Sequence, residues 1–223
     1  MNKIILITPT YRSKNLRLIK KSINFDFIKK WIIVHDKEKI TDNHALFHND
    51  DKIIEIFYKS KKDETSGNAQ RNIALDYICQ NFIDENFYLY YLDDDNIIHP
   101  SFYEIAKDLK NNHLYTFDQQ RTRYILDGTT PKAFHIDLAQ FLTDFNLVRN
   151  IRWKNLHYHA DGSYIEECYN LNKSKHIYIK KIGCYYNYLT RNIFRRIFYI
   201  ILWYVQKMLI QMNIIKSLKR NKP

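Results

Sequence analysis

The chain predicts an α/β fold, a mainly parallel sheet flanked by helices, with an amphipathic helical extension at its C-terminal end. Two observations carry this expectation. Short continuous apolar runs alternate with stretches of helical spacing as far as Lys110, the rhythm of βαβ units. The 45% hydrophobic and 15% aromatic content of 223 residues is enough for the core of one full-sized domain, and four Gly and four Pro exclude a collagen-like or low-complexity polymer.

Taken in order, Lys3–Thr8 is a buried strand stopped by Pro9, and residues 14–30 place Leu16, Ile19, Ile23 and Phe27 at helical spacing. Trp31–His35 is a second buried strand that ends at Asp36, and Lys52–Tyr58 is a third. A loop from Ser60 to Gly67 leads into a helix over Asn68–Asn81. Phe87–Leu92, rich in aromatic β-formers, is a fourth strand running into Asp93-Asp94-Asp95-Asn96, and Pro100 announces a helix over Ser101–Lys110. Beyond Asn111 the expected elements are short strands at Leu114–Phe117, Arg123–Leu126 and Lys132–Ile136, and a helix at Asp137–Leu147. A helix at Ser163–Leu171 and a strand at Ile177–Ile182 follow. No internal repeat or Pro/Gly/Ser-rich linker divides the chain, so the expected parse is one domain, 1–190, and a tail, 191–223.

Charge is divided unevenly along this parse. Residues 1–172 carry 23 Lys+Arg against 24 Asp+Glu, whereas residues 173–223 carry 12 Lys+Arg and no acid. A near-neutral body excludes a broad nucleic-acid face, so no nucleic-acid partner is expected. Cys79, Cys168 and Cys184 are odd in number and lack CxxC spacing, which argues against a disulfide framework or zinc module. With no signal peptide in the sequence, a cytoplasmic location is the expectation.

The chemistry-bearing residues gather at strand ends. Three consecutive acids after an apolar strand repel one another, and a divalent cation relieves that cost; hard carboxylate oxygens suit Mg²⁺ or Mn²⁺. The alternative is a solvated acidic turn capping the next helix. Thr8-Pro9-Thr10-Tyr11-Arg12 follows the first strand, Asp36 the second, and Gly67-Asn68-Ala69-Gln70-Arg71-Asn72 opens a helix. An aromatic and an Arg on a Pro-fixed turn suit a base and a phosphate, an acid suits a nucleobase or ribose, and a helix start with Arg71 suits an anion. Ligands of open α/β sheets bind at this carboxyl edge.

The ordered set ITPTYR, WIIVHD, SGNAQRNIALD and YYLDDDN resembles the GT-A glycosyltransferases. It is similar both to the inverting glucuronyltransferases of animal proteoglycan synthesis and to the bacterial family-2 enzymes. The resemblance implies a GT-A, nucleotide-diphospho-sugar transferase fold, a nucleotide-sugar donor that is UDP-linked, and a glycan hydroxyl as acceptor. By position it implies that Thr8, Pro9, Tyr11 and Arg12 line the uridine and phosphate pocket and that Asp36 holds uracil or ribose. Arg71 and Asn72 would contact the nucleotide sugar, and Asp93 and Asp94 the ribose and donor sugar. Asp95, with Asp93, would hold Mn²⁺ or Mg²⁺. An inverting transferase also needs a base, and the family-2 pattern points to Asp161 in His159-Ala160-Asp161-Gly162-Ser163, with Glu166 and Glu167 as alternatives, or Asp161 as a helix cap. The superfamily's late His metal ligand is missing, since Tyr185-Tyr186-Asn187-Tyr188 stands in its region; His157 and His159 are acceptor-loop or structural residues rather than metal ligands.

In the tail, Asn192, Arg195, Arg196, Tyr199, Trp203, Gln206 and Lys207 fall on one helical stripe with apolar residues opposite. Ile197–Val205 is too interrupted for a spanning helix, so the expectation is a helix lying in an anionic membrane surface, on the inner face of the cytoplasmic membrane. A packing helix or a homodimer contact is the alternative. The Ile-, Lys-, Asn- and Tyr-rich composition suits an AT-rich bacterial genome and hence a capsule or lipooligosaccharide acceptor. Two rivals remain: a nucleotidyltransferase, though PTYRSKN lacks a Gly-rich phosphate loop, and a non-enzymatic membrane- or nucleic-acid-binding protein acting through the tail.

Overall fold

The computed structural model describes residues 3–38, 45–64, 67–82, 85–156 and 159–189, together with Phe194, Ile197, Ile201, Tyr204, Val205 and Met208. His157 lies outside these residues, as does the whole predicted polar stripe of the tail.

The first half is built on parallel strands. Strands β1 (Lys3–Thr10), β2 (Ile28–Asp36), β3 (Ile53–Tyr58) and β4 (Phe87–Tyr91) lie in the order β3-β2-β1-β4, all parallel. Their continuous apolar runs follow from burial on both faces. Ile4, Leu6, Trp31 and Ile33 pack on one side with α1 (Ser13–Ser22) and α3 (Phe102–Lys107). Ile5, Ile7, Ile32 and Val34 pack on the other with α2 (Asn68–Asn81). The chain runs from β1 to β2 and β3 on one side and to β4 on the other, which opens a crevice at the carboxyl ends of β1 and β4.

The second half completes a mixed sheet. Strands β6 (Leu114–Gln120), β8 (Phe141–Asp144) and β9 (His176–Tyr185) extend the order as β4-β8-β6-β9, with the short β5 (Ile97–Ile98) beyond β9 and β7 (Ile125–Leu126) on β6. Strand β8 runs antiparallel to both its neighbours, and β9 runs parallel to β6. Helix α4 (Phe145–Val148) follows β8, and α5 (Ala160–Leu171) covers the face shared with α2.

Three expectations are corrected. The first helix stops at Ser22 rather than continuing to residue 30, because Asn24 turns the chain: its carbonyl accepts from Phe27 N and Ile28 N, and its side chain from Asp26 N. The helix expected over Asp137–Leu147 is a 3-10 turn at Leu138–Gln140, then β8, then α4. Its four strand residues fill the slot between β4 and β6 and are buried throughout, so tertiary packing overrides local period there. Lys132–Ile136 is no strand but a turn, closed by His135 N donating to Lys132 O at 3.1 Å. All three cysteines are free thiols.

Candidate active site

At the carboxyl edge of β1, β2 and β4 lies a cleft of about 590 Å³. Its walls include six carboxylates (Asp36, Asp93, Asp94, Asp95, Asp137 and Asp161) and two guanidinium groups, Arg12 and Arg71. Pro9, Thr10, Tyr11, Gly67, Gln70, Tyr186 and Asn187 complete it.

Asp94 organises the turn after β1. Its Oδ2 accepts from Thr10 Oγ1, Tyr11 N and Arg12 N at 2.9–3.0 Å, and its Oδ1 from Arg12 Nη1 at 2.8 Å. Burial pushes its pKa up against the pull of Arg12, and four donors hold the charge in place. Arg12 reaches on to Asp95 Oδ2 at 2.5 Å, and its guanidinium lies 4.4 Å over the ring of Tyr11, which is 43% exposed. Burial first, then the neighbouring Asp93, raises the Asp95 carboxyl to about 6.

Arg71 joins the acidic run to the opposite wall. Helix α2 starts at Gly67, whose φ of 75° suits glycine and whose missing side chain lets the helix start lie against Pro9; a Cβ there would stand 3.1 Å from Pro9 Cβ. From this start Arg71, 3% exposed at its side chain, donates from Nη2 to Asp93 Oδ1 at 2.7 Å and lies 3.7 Å from Asp161 Oδ1. Trp153 stacks on its guanidinium at 4.7 Å. Burial alone would lower the Arg71 pKa, but Asp93 and Asp161 outweigh it and hold the charge.

Asp161, in the first turn of α5, is pushed up to about 7, mainly by burial, with Asp93 and Asp137 adding and Arg71 opposing. Its competitors are engaged elsewhere. Glu166 Oε2 accepts from Ala133 N at 3.1 Å, and Glu167 pairs with Lys154 at 2.7 Å; neither lines the cleft.

Two predicted residues are turned away from the cleft. Thr8 is fully buried and accepts from Trp31 Nε1 at 2.9 Å, so its neighbour Thr10 takes the wall position. Asn72 exchanges two hydrogen bonds of 2.9 Å with the backbone of Trp153 and thereby fixes the ring on which Arg71 rests. Asp36 sits at the end of β2 on the cleft wall, and one of its oxygens accepts from Glu38 N.

Sequence reasoning did not assign Thr10, Gly67, Gln70, Asp137, Tyr186 or Asn187, all of which line the cleft. Asp137 is raised by burial and by Asp93, while Gln119 and Arg121 donate to it. The sequence does place a helix start at Asp137, and Asp137 and Gln140 form a capping box there, but a cap residue carries no mark of a place in the cleft. The segment without the late His does reach the site, because Asn187 N donates to Asn96 Oδ1 and Leu189 N to the Asp95 carbonyl, bringing Tyr186 and Asn187 to the wall.

Among the described residues no group of three or more His, Cys, Asp or Glu is gathered as a metal cage. The donor set nevertheless fits Mg²⁺ or Mn²⁺ delivered with a diphosphate, which needs only one or two protein carboxylates. Asp93 and Asp95 each use one oxygen on an Arg and, among the described residues, leave Asp93 Oδ2 and Asp95 Oδ1 without a protein partner.

No protein-family model and no curated protein matches the chain. Solved structures do. Residues 1–349 of TarS of S. aureus, also solved in complex with UDP-GlcNAc, superpose with a TM-score of 0.61 at 15% identity, covering 82% of this chain and 60% of that solved chain in the first of these structures. The mannosyltransferase PcManGT from Pyrobaculum calidifontis, in complex with GDP-Man and Mn²⁺, gives 0.61 at 13% identity over 95% of this chain and 64% of that one. A 4-diphosphocytidyl-2C-methyl-D-erythritol synthase gives 0.53 at 10% identity over 90% and 100%. The chain thus spans about three fifths of the length of the two transferases. The fold is that of the nucleotide-diphospho-sugar transferases.

Proposed function

We propose that this chain is a metal-dependent, inverting glycosyltransferase that moves a sugar from a nucleoside diphosphate donor, UDP-linked, to a hydroxyl of a bacterial surface glycan. One observation carries the reading: six carboxylates face two guanidinium groups in one cleft at the strand ends. Such a site repels a bare diphosphate and attracts one accompanied by a divalent cation.

Asp95 and Asp93 would hold Mn²⁺ or Mg²⁺, which when bound supplies Lewis-acid neutralisation of the leaving diphosphate. Tyr11 and Arg12, on the Pro9 turn, offer an exposed ring and a charge to the nucleotide. Asp36 offers a carboxylate to uracil or ribose. Asp161 takes the proton from the acceptor hydroxyl as its oxygen attacks the anomeric carbon and the bond to the diphosphate breaks. A base with a pKa of about 7 is poised for that transfer near neutrality. Nucleotidyl transfer is less well served: the end of β1 and the residues after it read Pro9-Thr10-Tyr11-Arg12, with no glycine before Gly67. The direct test is release of UDP from a panel of UDP-sugars, with and without short soluble glycan acceptors. Release from none of them, or CMP- or UMP-transfer instead, would contradict the proposal.

The division into a body, 1–190, and a tail, 191–223, that rests on an anionic membrane belongs to the same proposal. Phe194, Ile197, Ile201, Tyr204, Val205 and Met208 are helical and exposed, and apart from the adjacent Tyr204 and Val205 they are spaced by three or four. Residues 191–223 hold eight Lys+Arg and no acid. No helix among the described residues is long and apolar enough to cross a membrane. Each cation near an anionic surface contributes about 1 kcal/mol, and the apolar face adds an unscreened term. Sedimentation with phosphatidylglycerol vesicles should weaken with salt without vanishing. If the full chain ignores these vesicles and a chain ending at residue 190 loses stability, the tail is a packing or dimer helix instead.

A further inference from the structure

The turn before Asp137 carries a side chain that the donor cleft does not use. Phe134 stands at φ 68°, in the left-handed region where Gly and Asn are the usual residues and a bulky side chain is an outlier. It is also 81% exposed. Both features cost stability, and the ring returns little packing to the core. The turn is nevertheless pressed firmly onto α5. Ala133 N donates to Glu166 Oε2, and Gly162 lies so close that a Cβ there would stand 2.7 Å from Ala133 Cα. Strain held in place by its surroundings is found at ligand clamps.

The position of the ring points to the ligand. Phe134 lies beside His159, with ring centroids 5.3 Å apart and planes inclined at 31°. His159 immediately precedes α5, two residues before Asp161, and Asp137 follows Phe134 by three; both acids line the cleft, whereas the two rings do not. The two rings therefore sit on the same two segments, the turn before Asp137 and the start of α5, that carry these acids into the cleft. On the far side of Asp137, Arg121 pairs with its carboxylate and stacks on Tyr186 at 4.1 Å.

We propose that Phe134, with His159, is a stacking platform for a pyranose ring of the acceptor glycan. The C–H face of a pyranose is apolar and weakly positive, which matches the negative face of an aromatic ring, and its hydroxyl edge stays free for Asp161. An uncharged sugar suits this pair of rings better than an anionic one, since the same two segments carry Asp137 and Asp161. The platform rests on the glycosyltransferase reading of the cleft, and its test keeps the two apart.

Saturation-transfer NMR with lactose, maltose and chitobiose as probes should show transfer to one face of a pyranose in at least one of the three. Phe134→Ala should weaken that binding about tenfold and Phe134→Trp should preserve it. Phe134→Asn, which accepts the left-handed backbone, should keep or raise Tm while losing the sugar, separating a binding role from a packing role. Silence from all three sugars with the wild type, equal binding by Phe134→Ala, or a fall in Tm of several degrees in Phe134→Asn overturns the platform. Stabilisation by UDP with Mn²⁺ should be the same in every variant. If UDP never binds while the sugars do, the transferase reading falls and the sugar site stands.

Discussion

The two walls of the cleft are held in different ways. The wall at the ends of β1, β2 and β4 is wired by charge: Asp94 gathers the β1 turn, Arg12 joins it to Asp95, and Arg71 joins Asp93 to the region of Asp161. The facing wall, from Asp137 to Asp161, stands on a 3-10 start, a turn and the first turn of α5, and close backbone approach at Gly162 sets its position. Charge wiring at strand ends suits a polyanionic ligand with a fixed diphosphate. A wall built of turns, with an exposed ring on the turn behind it, suits a neutral and variable partner.

Substitutions break this contrast in a definite order. Asp95→Ala should act hardest, lowering transfer on the order of 10³-fold by removing the proposed metal carboxylate, while Tm holds or rises because a half-buried charge beside Asp93 is gone. Assays with saturating Mn²⁺ and a melting curve read both effects.

Asp161→Asn should cost on the order of 10²-fold in turnover with UDP binding unchanged. Wild-type transfer should climb with pH through about 7, because the proposed base must lose its proton, and the variant should lack that climb. The groups facing Asp161 are Arg71, Asp93 and Asp137. Its folded pKa lies above its ordinary 3.8, so its contribution to stability is present at low pH and lost as pH rises from 3.8 through about 7. The Tm gain of Asp161→Asn over wild type should accordingly be larger at pH 8 than at pH 4.

Gly162→Ala sharpens the description of the second wall. A helical Gly→Ala change ordinarily stabilises, but here the new methyl meets backbone, and a loss of about 2 kcal/mol in chemical denaturation is expected. The smallest effect belongs to Thr8→Val. It strips the acceptor from the buried Trp31 indole, costing about 1 kcal/mol, with nucleotide affinity untouched.

The same contrast explains what could be read in the sequence. Strands buried on both faces are written as apolar runs, and the polar groups that follow them fall at one sheet edge by topology alone. Asp36, Arg71 and Asp93–Asp95 were therefore legible, and α2 appears with its predicted bounds. The second wall depends on partners far along the chain. Strand β8 exists because β4 and β6 leave a slot for it, although residues 137–147 carry a helical pattern. The turn at Phe134 shows in no local pattern, since Phe in a left-handed turn contradicts turn chemistry. Thr8 and Asn72 lie off the cleft for a related reason: proximity to a motif does not say which way a side chain faces, and the Trp31 indole engages one and the Trp153 backbone the other.

The central claim is that six carboxylates and two guanidinium groups make a site that takes a nucleoside diphosphate only together with a divalent cation. Isothermal titration of the full chain with UDP, in Mn²⁺ and again in EDTA, tests this most directly. Binding in Mn²⁺ should weaken at least tenfold in EDTA for the wild type, and Asp95→Ala should bind equally weakly in both buffers. Equal affinity of the wild type in the two buffers would contradict it.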